Sequence, residues 1–396
     1  MIRSIFIYSI VMAILASCKP KEINPSISCT NDPIINNSVN HPKHEIFSNL
    51  LRKYTRKGMP GIALLVKDQD GIWVGSAGKA DIDKKINMEP CHVSKVASLT
   101  KIFMGALAFK LQEEGTLNLD APVSAYLSSS VIGKISNADK VTVRQLLNHT
   151  TGIYDVIKDS QFYLGVLNNP PRKWEADDLL KFVEKKDPYF PAGSYVKYSN
   201  TNTLLLALVI DKAAGRPHWE LLREKIINPL QLKDTYYYFR ENLPDGKIAQ
   251  GYYDLHNNGT ILNLSNYNTG SGNGYTGLYS TVGDLYAFID ALFVQQSLLS
   301  PTSMNEMLNF NTIEEPNSNR LLGPGVVKDF IHRDDPTEYA YGHRGRDLAY
   351  SADAFHFPEK NQTFALIVNY GTDANSSLRP VFFDMRNEIV DKMMGK

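Results

Sequence analysis

Cysteine is scarce in this chain of 396 residues: there are three, at positions 18, 29 and 91. So few exclude a disulfide framework. With neither a Cys-x-x-Cys nor a His-Glu-x-x-His pattern present, nothing in the sequence supports a zinc or other metal site, and no cofactor is called for. An excess of one charge is also lacking. Lys and Arg number 42, Asp and Glu 42, and no basic run is interleaved with aromatics, so there is no electrostatic case for nucleic acid. The absence of Gly-x-Ser-x-Gly argues against the nucleophile elbow of an α/β-hydrolase. No internal repeat is visible.

What is present suits a globular protein working on a small molecule or peptide: 43% hydrophobic residues and enough length for one large or two intimately packed domains. Arg3, the apolar stretch Ile5 to Ala16 and Leu15-Ala16-Ser17-Cys18 read as a secretory leader, the stretch being short for a spanning helix. The cysteine at the cut resembles a bacterial lipobox, which implies that residues 1–17 are removed and Cys18 is lipidated. An uncleaved membrane anchor is the alternative. Residues 18–44, rich in Pro, Asn, Ser and Lys, then form a tether, and the expected location is the bacterial cell envelope, lipid-anchored on its periplasmic or extracytoplasmic face. Cys29 and Cys91 are left as one candidate pair that would pin tether to domain in an oxidising compartment.

Beyond the tether, Ile46, Phe47, Leu50 and Leu51 have the spacing of an amphipathic helix that Pro60-Gly61 stops. Ile62–Val66 and Ile72–Val74 flank the polar turn Asp68–Gly71 as a hairpin. The other end mirrors this with Ala352–Phe357 and Thr363–Val368 around Pro358–Asn361, followed by a helix from about Leu378 to Met394. Between them the chain is mostly helical. The expected architecture is α/β of the α+β type: an antiparallel sheet built from the N- and C-terminal segments with flanking helices, plus an inserted helical region. One domain spans 45–396, its sheet part 45–90 and 275–396, its helical part 91–274.

Three short motifs carry candidate chemistry. Ser98 and Lys101 lie one helical turn apart at the head of the all-apolar run Ile102–Phe109, which places a nucleophile beside an activator. The bland alternative is a serine cap with a snorkelling lysine. Ser194 and Lys197 repeat the spacing, but they follow the turn Phe190-Pro191-Ala192-Gly193 and start no apolar helix. Tyr198-Ser199-Asn200 sits between that turn and the apolar helix Leu204–Ile210, a rigid place for polar groups; the alternative is a helix cap and a core aromatic. Tyr341-Gly342-His343-Arg344-Gly345-Arg346 leads into the C-terminal hairpin. Its glycines permit close backbone approach, and a free strand edge there would bind an extended peptide and supply half of an oxyanion hole; taken separately, the favoured alternative is a glycine-containing turn with solvated arginines.

In the order Ser-x-x-Lys, Tyr-x-Asn, His-x-Gly, these motifs resemble the serine β-lactamase and D-alanyl-D-alanine carboxypeptidase superfamily, in the branch of class C β-lactamases, DD-peptidases, D-amino-acid peptidases and related esterases. Leu146–Gly152, Phe190–Gly193 and Gly277–Thr281 with Asp284-Leu285 look like that branch's framework motifs. The resemblance implies that Ser98 forms an acyl-enzyme while Lys101 and Tyr198 share the proton work as a coupled pair, either being the first base. It implies that Asn200 holds Lys101 and the substrate amide, and that the amides of Ser98 and Arg346 bind the oxyanion beside Gly345. His343 stands where lysine is usual and would orient Tyr198 or substrate and add pH sensitivity. Arg344 and Arg346 would recognise a carboxylate. Bulky Arg344, and Ala349 where glycine is frequent, count against a true β-lactamase. The implied function is an envelope serine hydrolase, DD-carboxypeptidase-like or a D-amino-acid peptidase, on peptidoglycan-type peptides; the alternatives are a class C-like β-lactamase, a carboxylesterase, or a non-catalytic penicillin- or peptidoglycan-binding lipoprotein.

Overall fold

The two expected hairpins meet in one sheet in the computed structural model, which describes residues 37–310, 320–331, 335, 337–373 and 376–396. The leader, Cys18 and Cys29 lie outside the described residues. Cys91 is disulfide-bonded. Helix α1 (His44–Arg56) leads into strands β1 (Gly61–Asp68), β2 (Gly71–Asp81) and β3 (Ile86–Asn87). Two long helices, α2 (Thr100–Glu113) and α3 (Asn200–Ala214), and a shorter one, α4 (Val282–Ile289), belong to the middle of the chain. Strands β4 (Arg320–Gly323), β5 (Val326–Asp329), β6 (Ala340–Arg346), β7 (Ser351–Phe357) and β8 (Gln362–Val368) precede the closing helix α5 (Arg379–Met393).

The sheet order is β3-β2-β1-β8-β7-β6-β5-β4, so the chain's two ends pair at the centre, with Ile62 opposite Val368 and Leu64 opposite Leu366. Side chains alternate across the sheet. Ile62, Leu64, Val66, Phe355 and Phe364 pack with Phe47, Leu50, Leu51 and Tyr54 of α1 and Phe382, Met385 and Ile389 of α5. Ala63, Leu65, Ala352, Ala354 and Ile367 face the other way, into the core shared with α2, α3 and α4. Because both faces are covered, β1 and β8 read as continuous apolar runs. On α1 the buried set is Phe47, Leu50, Leu51 and Tyr54, the i, i+3, i+4, i+7 stripe, whereas Ile46 is exposed. Helix α2 is buried from Thr100 to Phe109, as an all-apolar sequence requires.

Candidate active site

Ser98 lies in a one-turn 3-10 helix, Ala97–Leu99, at the head of α2. That turn is anchored from below. Ser94–Lys95 pairs with Leu278–Ser280, Val96 N donates to Leu278 O at 2.9 Å, and the Thr100 hydroxyl donates to Ala97 O at 2.7 Å while accepting from Leu278 N at 3.2 Å. Ala97 is left-handed, at φ +50°, so the residue before the serine is held in a strained conformation by its surroundings. From above, β6 closes on the turn. Its pairing with β5 ends at Gly342, so His343 to Arg346 present an edge to Ser98. Gly345 lies so near that a Cβ would stand 2.0 Å from Val96 O.

Lys101, one turn after Ser98, is 2% exposed. Its Nζ donates to Asn200 Oδ1 at 2.7 Å, to Tyr275 O at 2.8 Å and to Ser98 Oγ at 3.1 Å. Burial pushes its pKa down to about 7, against the opposing pull of Asp155 and Asp347. The Tyr275 carbonyl reaches the lysine because Gly274, at φ +82°, lets the loop lie against Thr203 O, which would be 2.5 Å from any Cβ. Asn200, the first residue of α3, is fixed in turn by Asp155. Its backbone N donates to Asp155 Oδ1 at 3.0 Å and its Nδ2 to both carboxylate oxygens at 3.2 Å. Burial raises the Asp155 pKa, and the bonds from Asn200 work against that rise.

The Tyr198 ring lies 5.0 Å from Lys101 Nζ, stacks on His149 and stands 6.1 Å from the His343 ring. His343 Nδ1 donates to Arg344 O at 2.6 Å, which leaves Nε2 as an acceptor. Burial first, then Lys101, pushes its pKa down to about 3, so this imidazole is neutral throughout the physiological range. The pH sensitivity expected of His343 therefore falls outside that range; buried among cations, the ring cannot take a proton cheaply.

Alternation along β6 separates His343 and Gly345 from the two arginines. Arg344 and Arg346 turn to the α5 side. Arg344 forms a two-pronged ion pair with Asp329, and Arg346 Nη1 and Nη2 reach Asp353 Oδ1 and Oδ2 at 2.6 and 3.0 Å, its guanidinium lying 4.4 Å over Phe382. Both aspartates have fully buried side chains. Each guanidinium fork expected to take a substrate carboxylate is thus already occupied by one from the protein.

A cleft of about 710 Å³ brings Ser98, Tyr198, Asn200 and His343 together, with Arg344 and Arg346 also on its wall. Ser194 hydrogen-bonds Pro191 O on the surface, apart from the cleft. Sequence reasoning missed Asp155, the Tyr275 carbonyl and the buried pair Lys95–Asp347 (2.7 Å) that underlies the serine turn. An acid between Tyr154 and Val156 was the signal available for Asp155, but its partner is 45 residues away. Among the described residues no group of three or more His, Cys, Asp or Glu side chains is arranged to hold a metal ion.

The sequence model of the Beta-lactamase family matches residues 47–379. Over 229 residues the chain is 27% identical to the D-alanyl-D-alanine-carboxypeptidase/endopeptidase AmpH of Escherichia coli K12, covering 58% of this chain and 56% of that protein. The chain spans between a third and somewhat over half of the length of the curated relatives it matches. A crystal structure of a D-stereospecific amidohydrolase from Streptomyces sp. superposes with a TM-score of 0.77 at 28% identity, covering 90% of this chain and all of that one. The D-amino acid amidase of Ochrobactrum anthropi SV3 shares the fold, with a TM-score of 0.78 at 23% identity over 89% and 98% of the two chains.

Proposed function

Because this chain belongs to the beta-lactamase family, we propose that it is a serine hydrolase acting through an acyl-enzyme on Ser98, with DD-carboxypeptidase or D-amino-acid peptidase chemistry. The observation that carries this reading is the hydrogen bonding of Lys101. A neutral amine has two N–H groups and one lone pair. Asn200 Oδ1 and Tyr275 O take the two N–H groups, so the 3.1 Å contact that the ammonium donates to Ser98 Oγ reverses when the proton is lost, and the lone pair accepts from the serine hydroxyl. A lysine whose pKa is about 7 is neutral in a large fraction of molecules at neutral pH.

In this reading Ser98 Oγ attacks the carbonyl carbon as its proton passes to Lys101 Nζ. The oxyanion is received by the amides of Ser98 and Arg346, one on each side of the contact between β6 and the serine turn. Tyr198, beside Lys101, passes the proton to the leaving amine, the C–N bond breaks, and water repeats the sequence in reverse roles to free Ser98. Asn200 holds Lys101 and offers its amide to the substrate. The activities for which AmpH and the Streptomyces amidohydrolase are named support an amide bond next to a D-residue as the target. We further propose that the leader and Cys18 anchor the domain by lipid in the cell envelope, on the periplasmic or extracytoplasmic face, to be checked by lipid labelling of the wild type against Cys18→Ala.

Intact mass after exposure to penicillins and p-nitrophenyl esters, with Ser98→Ala as control and assays for D-alanine release and D-amino-acid amide cleavage, tests the reaction. An adduct on the wild type alone is expected. No adduct and no turnover on any probe would refute the hydrolase; rapid penicillin turnover would make it a β-lactamase, and turnover of esters alone an esterase.

A further inference from the structure

His149 lies two residues past the short helix Val143–Leu147, just after its cap Asn148, and adopts the left-handed conformation, at φ +61°. From there it holds the chain on both sides of Tyr198. Its carbonyl accepts from Lys197 N at 3.1 Å and its Nδ1 from Ser199 N at 3.3 Å. Its ring stacks on Tyr198 itself, with centroids 4.5 Å apart and planes 27° from parallel. The residue before the tyrosine, the residue after it and the phenol ring are all tied to one side chain and its backbone.

His149 is itself immobilised. It is 5% exposed, and Asn202 Nδ2 donates to the same Nδ1 at 3.1 Å while Asn202 Oδ1 accepts the Thr151 hydroxyl at 2.7 Å. An Nδ1 that accepts from a backbone amide must keep its lone pair, so the proton of the neutral ring sits on Nε2. Burial, reinforced by the neighbouring cations Lys101 and Arg320 and by His343, holds the pKa of His149 well below the usual histidine range, and the acceptor persists wherever the protein is folded at moderate pH.

We propose that His149 is a positioning residue for the reaction: it sets the plane and height of the Tyr198 ring over Lys101 and does not itself touch the substrate. The inference rests on the acyl-enzyme reading and adds a residue to it. A phenol that must exchange a proton with an amine works only within a narrow range of placement, and a shift of about 1 Å is enough for a loss on the order of 100-fold.

The test is single-turnover acylation of the full chain by a p-nitrophenyl ester, followed by intact mass, in four proteins: wild type, His149→Asn, Tyr198→Phe and the double variant. Asn tolerates the left-handed backbone and supplies an acceptor near Nδ1, so it removes the stacked ring with little else. The expected result is a fall on the order of 10- to 100-fold for His149→Asn alone, and almost no further fall when it is added to Tyr198→Phe. A merely structural role predicts the same loss in both backgrounds, and that result, or a wild-type rate in His149→Asn, would overturn the inference while leaving the hydrolase intact. A wild type that neither acylates with nor turns over any of the esters, penicillins and D-amino-acid amides would overturn both. Should His149→Asn not fold, His149→Gly, which also accepts the left-handed backbone, is read in the same cycle: a fall of the same order that is absent in the Tyr198→Phe background supports the inference, and an equal fall in both backgrounds overturns it.

Discussion

Gly345→Ala would add one methyl group where the catalytic reading has least room for it. The new Cβ would stand 2.0 Å from Val96 O, 3.0 Å from Val96 C and 3.5 Å from Ala352 O. Carbon–oxygen contacts settle at about 3.3 Å, so roughly 1.3 Å has to be opened between two backbones. Strand β6 cannot yield alone, because it is paired with β7 from Tyr341 opposite His356 to Arg346 opposite Ser351. The gap therefore opens between β6 and the Val96–Ser98 turn, and the amides of Ser98 and Arg346 move apart. A misplacement of that size predicts a fall in acylation rate on the order of 100-fold, equivalent to about 2.7 kcal/mol, with overpacking destabilising the fold by about 1–3 kcal/mol. The assay is the rate of p-nitrophenyl ester acylation beside a thermal melt. Gly283→Ala in α4 is the control, since its nearest new neighbour is Thr281 Oγ1 at an ordinary 3.8 Å and alanine favours helix. A wild-type acylation rate in folded Gly345→Ala would refute the placement of the oxyanion between these two backbones.

Three further outcomes follow from the buried charges. If neutral Lys101 is the base, acylation is fast above pH about 7 and falls tenfold per pH unit below it, a profile read from kcat/KM against pH; a rate flat from pH 5 to 8 would remove Lys101 from that role. Asp155→Ala strips Asn200 of its carboxylate partner and leaves its buried N–H groups unsatisfied, so stability should fall by about 2–3 kcal/mol in denaturant melts and Ser98 acylation should fall with it. Arg344→Met strands the fully buried Asp329, with a loss of about 3–5 kcal/mol that Asp329→Asn in the same chain should largely restore. Burial pushes the Asp329 carboxyl up, but Arg344 and neighbouring Arg386 outweigh it and hold the group below the usual carboxylate range, so its contribution is complete above pH about 4 and disappears as pH falls through that lowered value; the penalty of Arg344→Met should shrink in acid.

Local pattern carried much of the fold. The paired hairpins, the amphipathic stripe of α1 and the all-apolar α2 each follow from residue spacing within one segment, and each appears where expected, with Ile46 displaced because the stripe is centred one residue later. Period-two alternation also lay in the sequence of β6: it puts His343 with Gly345 on one face and Arg344 with Arg346 on the other. What no pattern indicated was that Asp329 and Asp353, on separate strands, would already fill both arginine forks.

Ser98 and Lys101 are adjacent on a helix because they are three residues apart, and the chain's order of motifs was enough to suggest acyl transfer. The state of that lysine was decided by tertiary structure alone. Its acceptors come from Asn200 and Tyr275, 99 and 174 residues further on, its opposing charges from Asp155 and Asp347, and its burial from helices and loops that meet only in the folded chain. Spacing within a segment determines which side chains share a face; desolvation and long-range partners determine whether an ammonium keeps its proton, and these exist only once distant segments exclude water together.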